Sequence, residues 1–424
     1  MKLVYSNGYE TSSKVISEKE YYDYWQNNEW TKIETKSEYE SCRLEKYDQD
    51  NNRELIVIYK DNRQLRTRNT WKEQRLLRVF SKLLIEKENF PPEKAQLYHS
   101  VQYHIETNLG IYHTEIDGQL RTYPNIGIEI KGSKLKRREL EFFYQKSKLL
   151  ELEHLHLFAP AFSSEVIKNV SPDITLWEYK LDSKTLENYY NYFTLPNFIR
   201  QEIGKRHLRF LTQSGKWLAP KRRVTSTSKH TTDQKIIQEI FKVKQVPVKI
   251  YYSLARVIDP ISEFRGKGHP IDQIILGFDI DADPHQHVIT NDPYCKECVK
   301  RSFRKLKKVN DILDQEKINY KILLSGSKGF HIYLLDKDEK VRIGKESEVI
   351  YYLELFKGLV DDFRSKYQRE WDFHRIFKLP GTVDASTGQK VDIIPITKCN
   401  KEQEITKIIT EYSLGFNDAI KKIN

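Results

Sequence analysis

Two carboxylates one residue apart follow an apolar run in the second half of the chain. The run, Ile274–Phe278, is typical of a strand covered on both faces. Because side chains alternate across a strand, Asp279 and Asp281 are expected to face the same side. Carboxylates so close repel each other unless a cation lies between them, and this pattern favours a hard divalent ion, Mg²⁺ or Mn²⁺. An exposed acidic turn is the alternative interpretation.

A glycine-containing segment, residues 325–331, carries groups that suit a phosphate. Its two glycines permit a tight turn with backbone amides facing an anion. Ser325, Lys328 and His331 add a hydroxyl, an ammonium and an imidazole. We interpret the segment as a phosphate cradle between two strands, with an ordinary structural hairpin as the alternative.

A third polar cluster lies in residues 371–390. Asp372 is the candidate for a third metal-binding carboxylate, and Arg375 and Lys378 can neutralise phosphates. A local salt bridge is the other interpretation of Asp372. If Asp372 does not bind the metal, the substitutes are Asp361, Asp362 and Glu370.

A zinc motif is predicted at about residues 284–299, between the acidic pair and the hairpin. Its candidate ligands are His285, His287, Cys295 and Cys298. Thiolates and imidazoles are the preferred ligands of tetrahedral Zn²⁺, and with no position left open for water the site would be structural. A Cys-x-x-Cys redox pair is the alternative.

Periodicity predicts the elements that must position these groups. In the second half it indicates an amphipathic helix over 299–313 and a strand over 320–324. In the first half it indicates a helix over 71–84, a hairpin of strands 110–117 and 125–132 with a turn at Asp117-Gly118, a helix over 135–150 and a strand over 153–158.

The first-half order of helix, hairpin, helix and strand, with Glu129-x-Lys131 in the second hairpin strand, resembles the PD-(D/E)xK nuclease fold of restriction enzymes. The resemblance implies metal binding by Glu129 and an upstream acid, Asp117 or Glu115, while Lys131 assists the attacking water. No Pro-Asp precedes the hairpin, which departs from the family. A cross-strand ion pair is the structural alternative for Glu129 and Lys131.

The second-half motifs occur in the order found in the small catalytic subunit of archaeal and eukaryotic DNA primase. The resemblance runs from about residue 184 to 424. It implies two divalent ions on Asp279, Asp281 and Asp372, and contacts from Ser325 and His331 to the triphosphate. Lys328 stands where the family often has Arg, and Asp372 lies nearer to Arg375 than the family's third Asp does. The zinc spacing also differs from the eukaryotic form, which has cysteines in place of His285 and His287.

Together these features predict an α/β (α+β) chain of two domains. Residues 1–182 would form a restriction-endonuclease-like α/β domain, and residues 183–424 an archaeo-eukaryotic primase fold with a zinc-binding insertion. The 424 residues are ample for two cores. The net charge of +11 suits a polyanionic partner. No apolar run is long enough to cross a bilayer, and the N-terminus turns polar too soon for a signal peptide. Four cysteines do not make a disulfide framework, so a cytoplasmic location is expected.

The primase resemblance implies a DNA primase or primase-polymerase that makes primers from nucleoside triphosphates on a single-stranded DNA template. A large primase subunit or a helicase is a candidate partner, and no membrane is expected. The first alternative is a metal-dependent nuclease, acting at Asp117, Glu129 and Lys131, whose primase-like half only binds nucleic acid. The second is a zinc-stabilised nucleic-acid-binding protein without catalysis.

Overall fold

The structure is a computed structural model that describes residues 70–107, 110–213, 216–220, 229–242, 246–257, 270–282, 288–290, 292, 295–327, 329–361, 375–395 and 402–424, and the backbone of five strands before residue 60. The helices in these residues are α1 (Thr70–Glu86), α2 (Arg137–Leu149), α3 (Ser164–Asn169), α4 (Lys184–Asn191), α5 (Asn197–Ile203), α6 (Thr232–Lys242), α7 (Lys296–Gln315), α8 (Glu346–Leu355) and α9 (Glu402–Glu411). The strands are β1 (Lys2–Ser6), β2 (Thr11–Val15), β3 (Lys32–Lys36), β4 (Ser41–Tyr47), β5 (Arg53–Tyr59), β6 (Leu97–Thr107), β7 (Gly110–Leu120), β8 (Ile126–Ile130), β9 (His154–Ala159), β10 (Ile174–Lys180), β11 (Leu208–Leu211), β12 (Trp217–Leu218), β13 (Lys249–Ser253), β14 (Ala255–Val257), β15 (Pro270–Ile275), β16 (Gly277–Ile280), β17 (Val288–Ile289), β18 (Tyr320–Leu324), β19 (Phe330–Leu334), β20 (Ile343–Gly344), β21 (Ile376–Lys378), β22 (Ile393–Ile394) and β23 (Ala419–Lys422).

Helices and sheets alternate in this chain, so the prediction of a mixed α/β fold is confirmed. The first five strands form an antiparallel sheet in the order β2-β1-β5-β4-β3. A seven-stranded sheet follows in the order β17-β6-β7-β8-β9-β10-β23. The remaining strands form three smaller antiparallel sheets, in the orders β12-β11-β13-β21, β14-β15-β20 and β16-β19-β18-β22.

The seven-stranded sheet is covered on both faces because its strands alternate their side chains. In β9, Leu155 and Leu157 lie in one apolar cluster with Leu140 of α2. Phe158 lies in the opposite cluster with Phe80 of α1. The helices and strands predicted for residues 71–158 are present. The sequence analysis did not predict β6, β10, the short helix α3 or the five strands before residue 60.

One predicted turn is wrong. Asp117 and Gly118 lie inside β7, which continues to Leu120. A Cβ at Gly118 would lie 2.5 Å from Cδ2 of Leu77 in α1. The glycine therefore permits close packing of the helix on the strand rather than a turn.

The two predicted domains share elements. The last strand of the chain, β23, pairs antiparallel with β10, and β17 pairs with β6, so second-half residues form both edges of the seven-stranded sheet. Trp71 at the start of α1 lies in the large apolar cluster of the second half. The boundary between residues 182 and 183 stays a prediction, and the structure adds that the two halves pack together through these elements.

A buried ion pair fastens the chain end to α1. Nε and Nη2 of Arg75 each lie 2.5 Å from a carboxylate oxygen of Asp418. Nη2 of Arg75 also donates to the carbonyl of Asp182, where the halves join, at 2.7 Å. The guanidinium lies 3.6 Å from the ring centre of Phe416. The Arg75–Asp418 ion pair, called the clasp below, therefore connects α1, residue Asp182 and the segment just before β23.

Removing one partner of the clasp should destabilise the protein, because a buried charge is left unpaired. We expect Asp418→Ala to lower the free energy of unfolding by roughly 3 kcal/mol in urea titrations. The side chains of Lys82 and Glu86 form a matched surface pair at 3.7 Å, 62% and 58% exposed. Glu86→Ala should cost less than about 1 kcal/mol. Equal losses in the two variants would contradict a stabilising role for the clasp.

A neutral histidine in the first-half core makes folding acid-sensitive. The indole N–H of Trp177 donates to Nδ1 of His156 at 3.1 Å. Burial, followed by the charges of His154 and Lys422, lowers the pKa of His156 from 6.5 to about 3. The unfolded state therefore binds the proton more readily, so the free energy of unfolding falls as the pH decreases from 6.5 toward 3.

His156→Gln should remove this contribution because glutamine keeps an acceptor but does not titrate. Between pH 7 and pH 4.5 the wild type should lose roughly 2 kcal/mol more unfolding free energy than the variant. Urea denaturation at both pH values measures the difference. Parallel pH dependence in the two proteins would show that His156 does not titrate in this way.

Candidate active site

Strand β16 places the first carboxylate of the acidic pair. Phe278 and Ile280 are fully buried in the second-half core, whereas the side chain of Asp279, between them, is 20% exposed. β16 pairs antiparallel with β19 so that Asp279 lies opposite His331. Their Oδ1 and Nε2 atoms are 3.7 Å apart. The strand register therefore brings the predicted acid to the predicted hairpin.

Asp361, which follows α8, is the third carboxylate at this place. Its backbone N–H donates to the carbonyl of Asp279 at 2.8 Å. One carboxylate oxygen from each of Asp279, Asp281 and Asp361 lies within 4.8 Å of the others. Asp361 was a substitute candidate in the sequence. Asp372, the preferred one, lies outside the described residues.

The three carboxylates form a site that favours a cation. Burial first, and then the charges of Asp281 and Asp361, raise the pKa of Asp279 well above 3.8. Burial and the charge of Asp281 also raise the pKa of Asp361. Oδ1 of Asp279 is buried and accepts no hydrogen bond from the residues that the structure describes. An oxygen ligand left without a donor fits a divalent ion such as Mg²⁺ or Mn²⁺.

The hairpin between β18 and β19 can approach the acids because it contains glycine. A Cβ at Gly329 would lie 2.2 Å from the carbonyl oxygen of Ile280 and 2.8 Å from Oδ1 of Asp281. Gly326 adopts φ of +76°, which other residues rarely adopt. The backbone N–H of Gly329 donates to Oγ of Ser325 at 3.1 Å. The Ser325 hydroxyl thus closes the turn, and Lys328 lies outside the described residues.

Two predicted cations lie beside the acids and the hairpin. Nζ of Lys378 lies 2.9 Å from Oγ of Ser327 and 2.7 Å from a carboxylate oxygen of Asp384. Nη2 of Arg375 lies 2.8 Å from Oδ2 of Asp361. The two side chains are placed to neutralise an anion that enters beside the carboxylates.

His331 is uncharged in this site. Its side chain is 3% exposed and stacks on Phe377, with ring centres 4.6 Å apart. Burial, followed by the charges of Lys378 and Arg375, lowers the pKa of His331 to about 3. At neutral pH the ring can therefore donate one hydrogen bond and accept another, but it adds no positive charge.

A single cavity joins the acidic pair, the hairpin and β21, which carries Lys378. Asp361 and Arg375 are not among its lining residues. Its lining is Tyr251, Asp279, Asp281, Ser325, Ser327, His331, Ile376, Phe377 and Lys378. The acids and the cradle residues, which are distant in the sequence, are thus brought to one place.

Sequence reasoning missed Asp384, the ion-pair partner of Lys378, and Lys249, which pairs with the same carboxylate. Asp384 is completely buried, and it lies 3.1 Å from Nζ of Lys249 as well as 2.7 Å from Lys378. These lysines hold the pKa of Asp384 far below its usual range despite burial. An aspartate in the otherwise weakly polar segment 382–387 was the available signal.

The first-half candidates form a separate acidic cluster. Ile130 donates its backbone N–H to Oδ2 of Asp117 at 2.6 Å. Burial, and then the charges of Glu129 and Glu73, raise the pKa of Asp117 well above 3.8. Glu129 is 6% exposed, and burial raises its pKa despite an ion pair with Lys146 of α2.

Two members of this cluster were not predicted, Glu73 of α1 and Lys146. The predicted Lys131 pairs with Glu139 at 3.1 Å rather than with Glu129. Lys146 also donates to the carbonyl of Glu115, the alternative upstream acid. Spacing within the hairpin could not show that helices would supply these groups.

Of the four predicted zinc ligands, the structure describes the two cysteines. Cys295 lies directly before α7 and is partly buried, and Cys298 in its first turn is fully buried. His285 and His287 lie outside the described residues. The predicted amphipathic helix is present, with Val299, Phe303 and Leu306 among its buried residues.

Carboxylates grouped beside a glycine hairpin and partly buried cations are the arrangement expected of a metal-dependent enzyme that acts on phosphates. No family model matches the chain. The DNA primase small subunit PriS of Pyrobaculum calidifontis is 24% identical in an alignment of 220 residues, and the match covers 41% of this chain and 67% of that protein. This match supports a distant relation to nucleotidyltransferases of the primase-polymerase kind.

Two solved structures show low similarity to the fold. The polymerase domain of Mycobacterium tuberculosis Ligase D in complex with DNA is 14% identical, with a TM-score of 0.31, over 54% of this chain and 89% of that chain. A repair endonuclease from Pyrococcus abyssi is 12% identical, with a TM-score of 0.14, over 39% and 79%. At these scores neither likeness carries a functional argument. In the described residues, no helix is long and apolar enough to cross a membrane.

Proposed function

We propose that the chain is a DNA-dependent primase or primase-polymerase that synthesises primers from nucleoside triphosphates on a single-stranded DNA template. The observation that carries the proposal is the single cavity in which Asp279 and Asp281 face the hairpin and Lys378. The sequence match to an archaeal primase subunit and the net charge of +11 support the same function.

The residues have distinct roles in this proposal. Asp279, Asp281 and Asp361 would hold divalent ions, which supply the Lewis acidity that activates a 3′-hydroxyl and stabilises the leaving pyrophosphate. Lys378 and Arg375 balance charge on the transferred phosphate. Ser327 and the hairpin amides orient the triphosphate, and the neutral His331 donates a single hydrogen bond.

The predicted zinc site belongs to the same proposal. Cys295 and Cys298, with His285 and His287, would hold a structural Zn²⁺ that fixes the start of α7. A large primase subunit or a helicase remains a candidate partner.

Nucleotide incorporation tests the function directly. The wild-type chain is incubated with unlabelled single-stranded DNA, Mg²⁺ or Mn²⁺ and one radiolabelled ribo- or deoxyribonucleotide set, with and without a primer. Labelled product without a primer identifies a primase, and product only with a primer identifies a polymerase. Absence of product under all of these conditions would exclude both activities.

A second candidate function is metal-dependent cleavage of nucleic acid by the first half. The observation that favours it is that Asp117, which is partly buried, and Glu129, which is buried, lie together beside Glu73 and Lys146. Buried carboxylates with raised pKa values gain from binding a divalent ion, and a lysine beside them can assist a water molecule.

Glu129→Gln should abolish metal-dependent nicking of plasmid DNA, at least about a hundredfold, because it removes a candidate metal ligand. Nucleotide incorporation by the same variant should be unchanged. Glu141→Gln, at an exposed position of α2, is the matched control. Undiminished nicking by Glu129→Gln, or none by the wild type, would exclude the nuclease site.

A further inference from the structure

A second cavity, about 190 Å³ in volume, lies where the two halves of the chain meet. The first half contributes α1 and β6, and the second half contributes β13, the glycine hairpin and the start of α7. The lining is Gln74, Arg78, His99, Lys249, Val288, Ile289, Cys295, Cys298, Ser327 and Thr387. Ser327 lines the candidate active-site cavity as well, so the two cavities share a wall.

Arg78 brings a positive charge to this cavity without a charged hydrogen-bond partner. Its Nε donates to the carbonyl of Asp292 at 3.0 Å, and its Nη1 donates to the carbonyls of Gln74 and Ser386. Among the described residues, these backbone oxygens are all of its hydrogen-bond acceptors. Burial lowers the pKa of Arg78 to about 10, so the guanidinium still carries its charge at neutral pH.

Lys249 on the opposite wall shares its carboxylate partner with Lys378 of the candidate active-site cavity. Lys249 and Lys378 both pair with Asp384, at 3.1 and 2.7 Å, so two ammonium groups share one carboxylate. Arg78, Lys249 and Lys378 thus lie near two carboxylates, those of Asp384 and Asp292. The Asp292 carboxylate, which is also near Arg78, pairs with Lys296 at 3.4 Å.

Partly buried positive charge that exceeds the nearby negative charge is costly, and a bound anion would reduce that cost. We propose that the cavity between the halves binds a phosphate group, with Arg78 and Lys249 as its charged donors. Guanidinium and ammonium groups from opposite walls can donate to different oxygens of one phosphate. The choice of phosphate rather than another anion rests on the proposed function, since Ser327 also lines the cavity where the triphosphate would bind.

The phosphate can come from a nucleic-acid backbone or from a small molecule such as pyrophosphate. Two binding experiments on the full chain, at several salt concentrations, distinguish these sources. The first measures fluorescence anisotropy of a labelled single-stranded oligodeoxynucleotide. The second measures inorganic pyrophosphate binding by calorimetry. Neither needs nucleotide incorporation, so an inactive wild type would refute the proposed function without deciding the phosphate site.

Arg78→Gln and Lys249→Gln are the test variants. If the phosphate belongs to a strand, each should weaken oligonucleotide binding about tenfold and reduce the slope of log K against log salt by about 1. If it belongs to pyrophosphate, each should weaken pyrophosphate binding about tenfold and leave the oligonucleotide slope unchanged. Arg78→Lys, which keeps the charge, should retain most of the binding.

The control is Arg121→Gln, an exposed arginine that donates to Oε1 of Gln96. Lys249→Gln leaves Asp384 paired with Lys378, so it tests the cavity without unpairing a buried acid. Two outcomes would overturn the proposal. One is that both variants bind the oligonucleotide and pyrophosphate as tightly as the control does. The other is that Arg78→Gln loses binding while Lys249→Gln does not, which would indicate that Arg78 serves only packing between the halves.

Discussion

The Asp279→Asn, Asp281→Asn double variant is expected to lose nucleotide incorporation at least about a thousandfold, or roughly 4 kcal/mol of transition-state stabilisation. The two carboxylates lie in the active-site cavity, and they provide two of the three oxygen ligands grouped within 4.8 Å. Amides of the same shape keep the packing but cannot balance the charge of divalent ions. Incorporation of radiolabelled nucleotide on a primed template measures the loss.

Stability separates this loss from misfolding. Burial and the neighbouring acids raise the pKa of Asp279, so its ionised form destabilises the metal-free fold at neutral pH. The double variant should therefore unfold at the same or a higher temperature than the wild type without metal. Asp311→Asn, at an exposed position of α7, is the control and should keep full activity. Normal polymerisation by the double variant would remove this site from the mechanism.

The second large effect is expected at Asp361. Asp361→Asn should reduce incorporation about a hundredfold or more, because it removes the third carboxylate and the partner of Arg375 at 2.8 Å. The variant should also bind Mn²⁺ more weakly. Incorporation rates and Mn²⁺ titrations measure these two effects.

Asp372→Asn is the matched comparison because Asp372 is the third acid that the primase resemblance implies. If Asp361 is the ligand, Asp372→Asn should keep most of its activity. The reverse result, an active Asp361→Asn and an inactive Asp372→Asn, would return the third position to Asp372.

Local patterns in the sequence were sufficient to predict that Asp279 lies at the end of a strand and that residues 325–331 form a glycine hairpin. The apolar run Ile274–Phe278 predicted one strand, and the structure divides it at Leu276 between β15 and β16, which lie in different sheets. Two glycines flanking polar residues predicted a turn at 325–329. The approach of Asp279 to the hairpin depends on antiparallel pairing of β16 with β19. Periodicity does not report pairing, and only the primase resemblance suggested it.

The positions that the sequence left open depend on contacts between distant segments. Asp361 reaches the acidic pair through a backbone hydrogen bond to Asp279, which no local spacing encodes. Lys249 and Lys378 meet at Asp384 from separate strands and a loop. Glu73 was inside a correctly predicted helix, but its position beside Asp117 depends on how α1 packs on the sheet.

The most direct test of the account is anomalous diffraction from crystals of the wild-type chain grown with Mn²⁺ and a non-hydrolysable nucleoside triphosphate. We expect manganese peaks bound by Asp279, Asp281 and Asp361, with the triphosphate against the 325–329 hairpin and Lys378. Manganese or triphosphate bound away from these residues would contradict it.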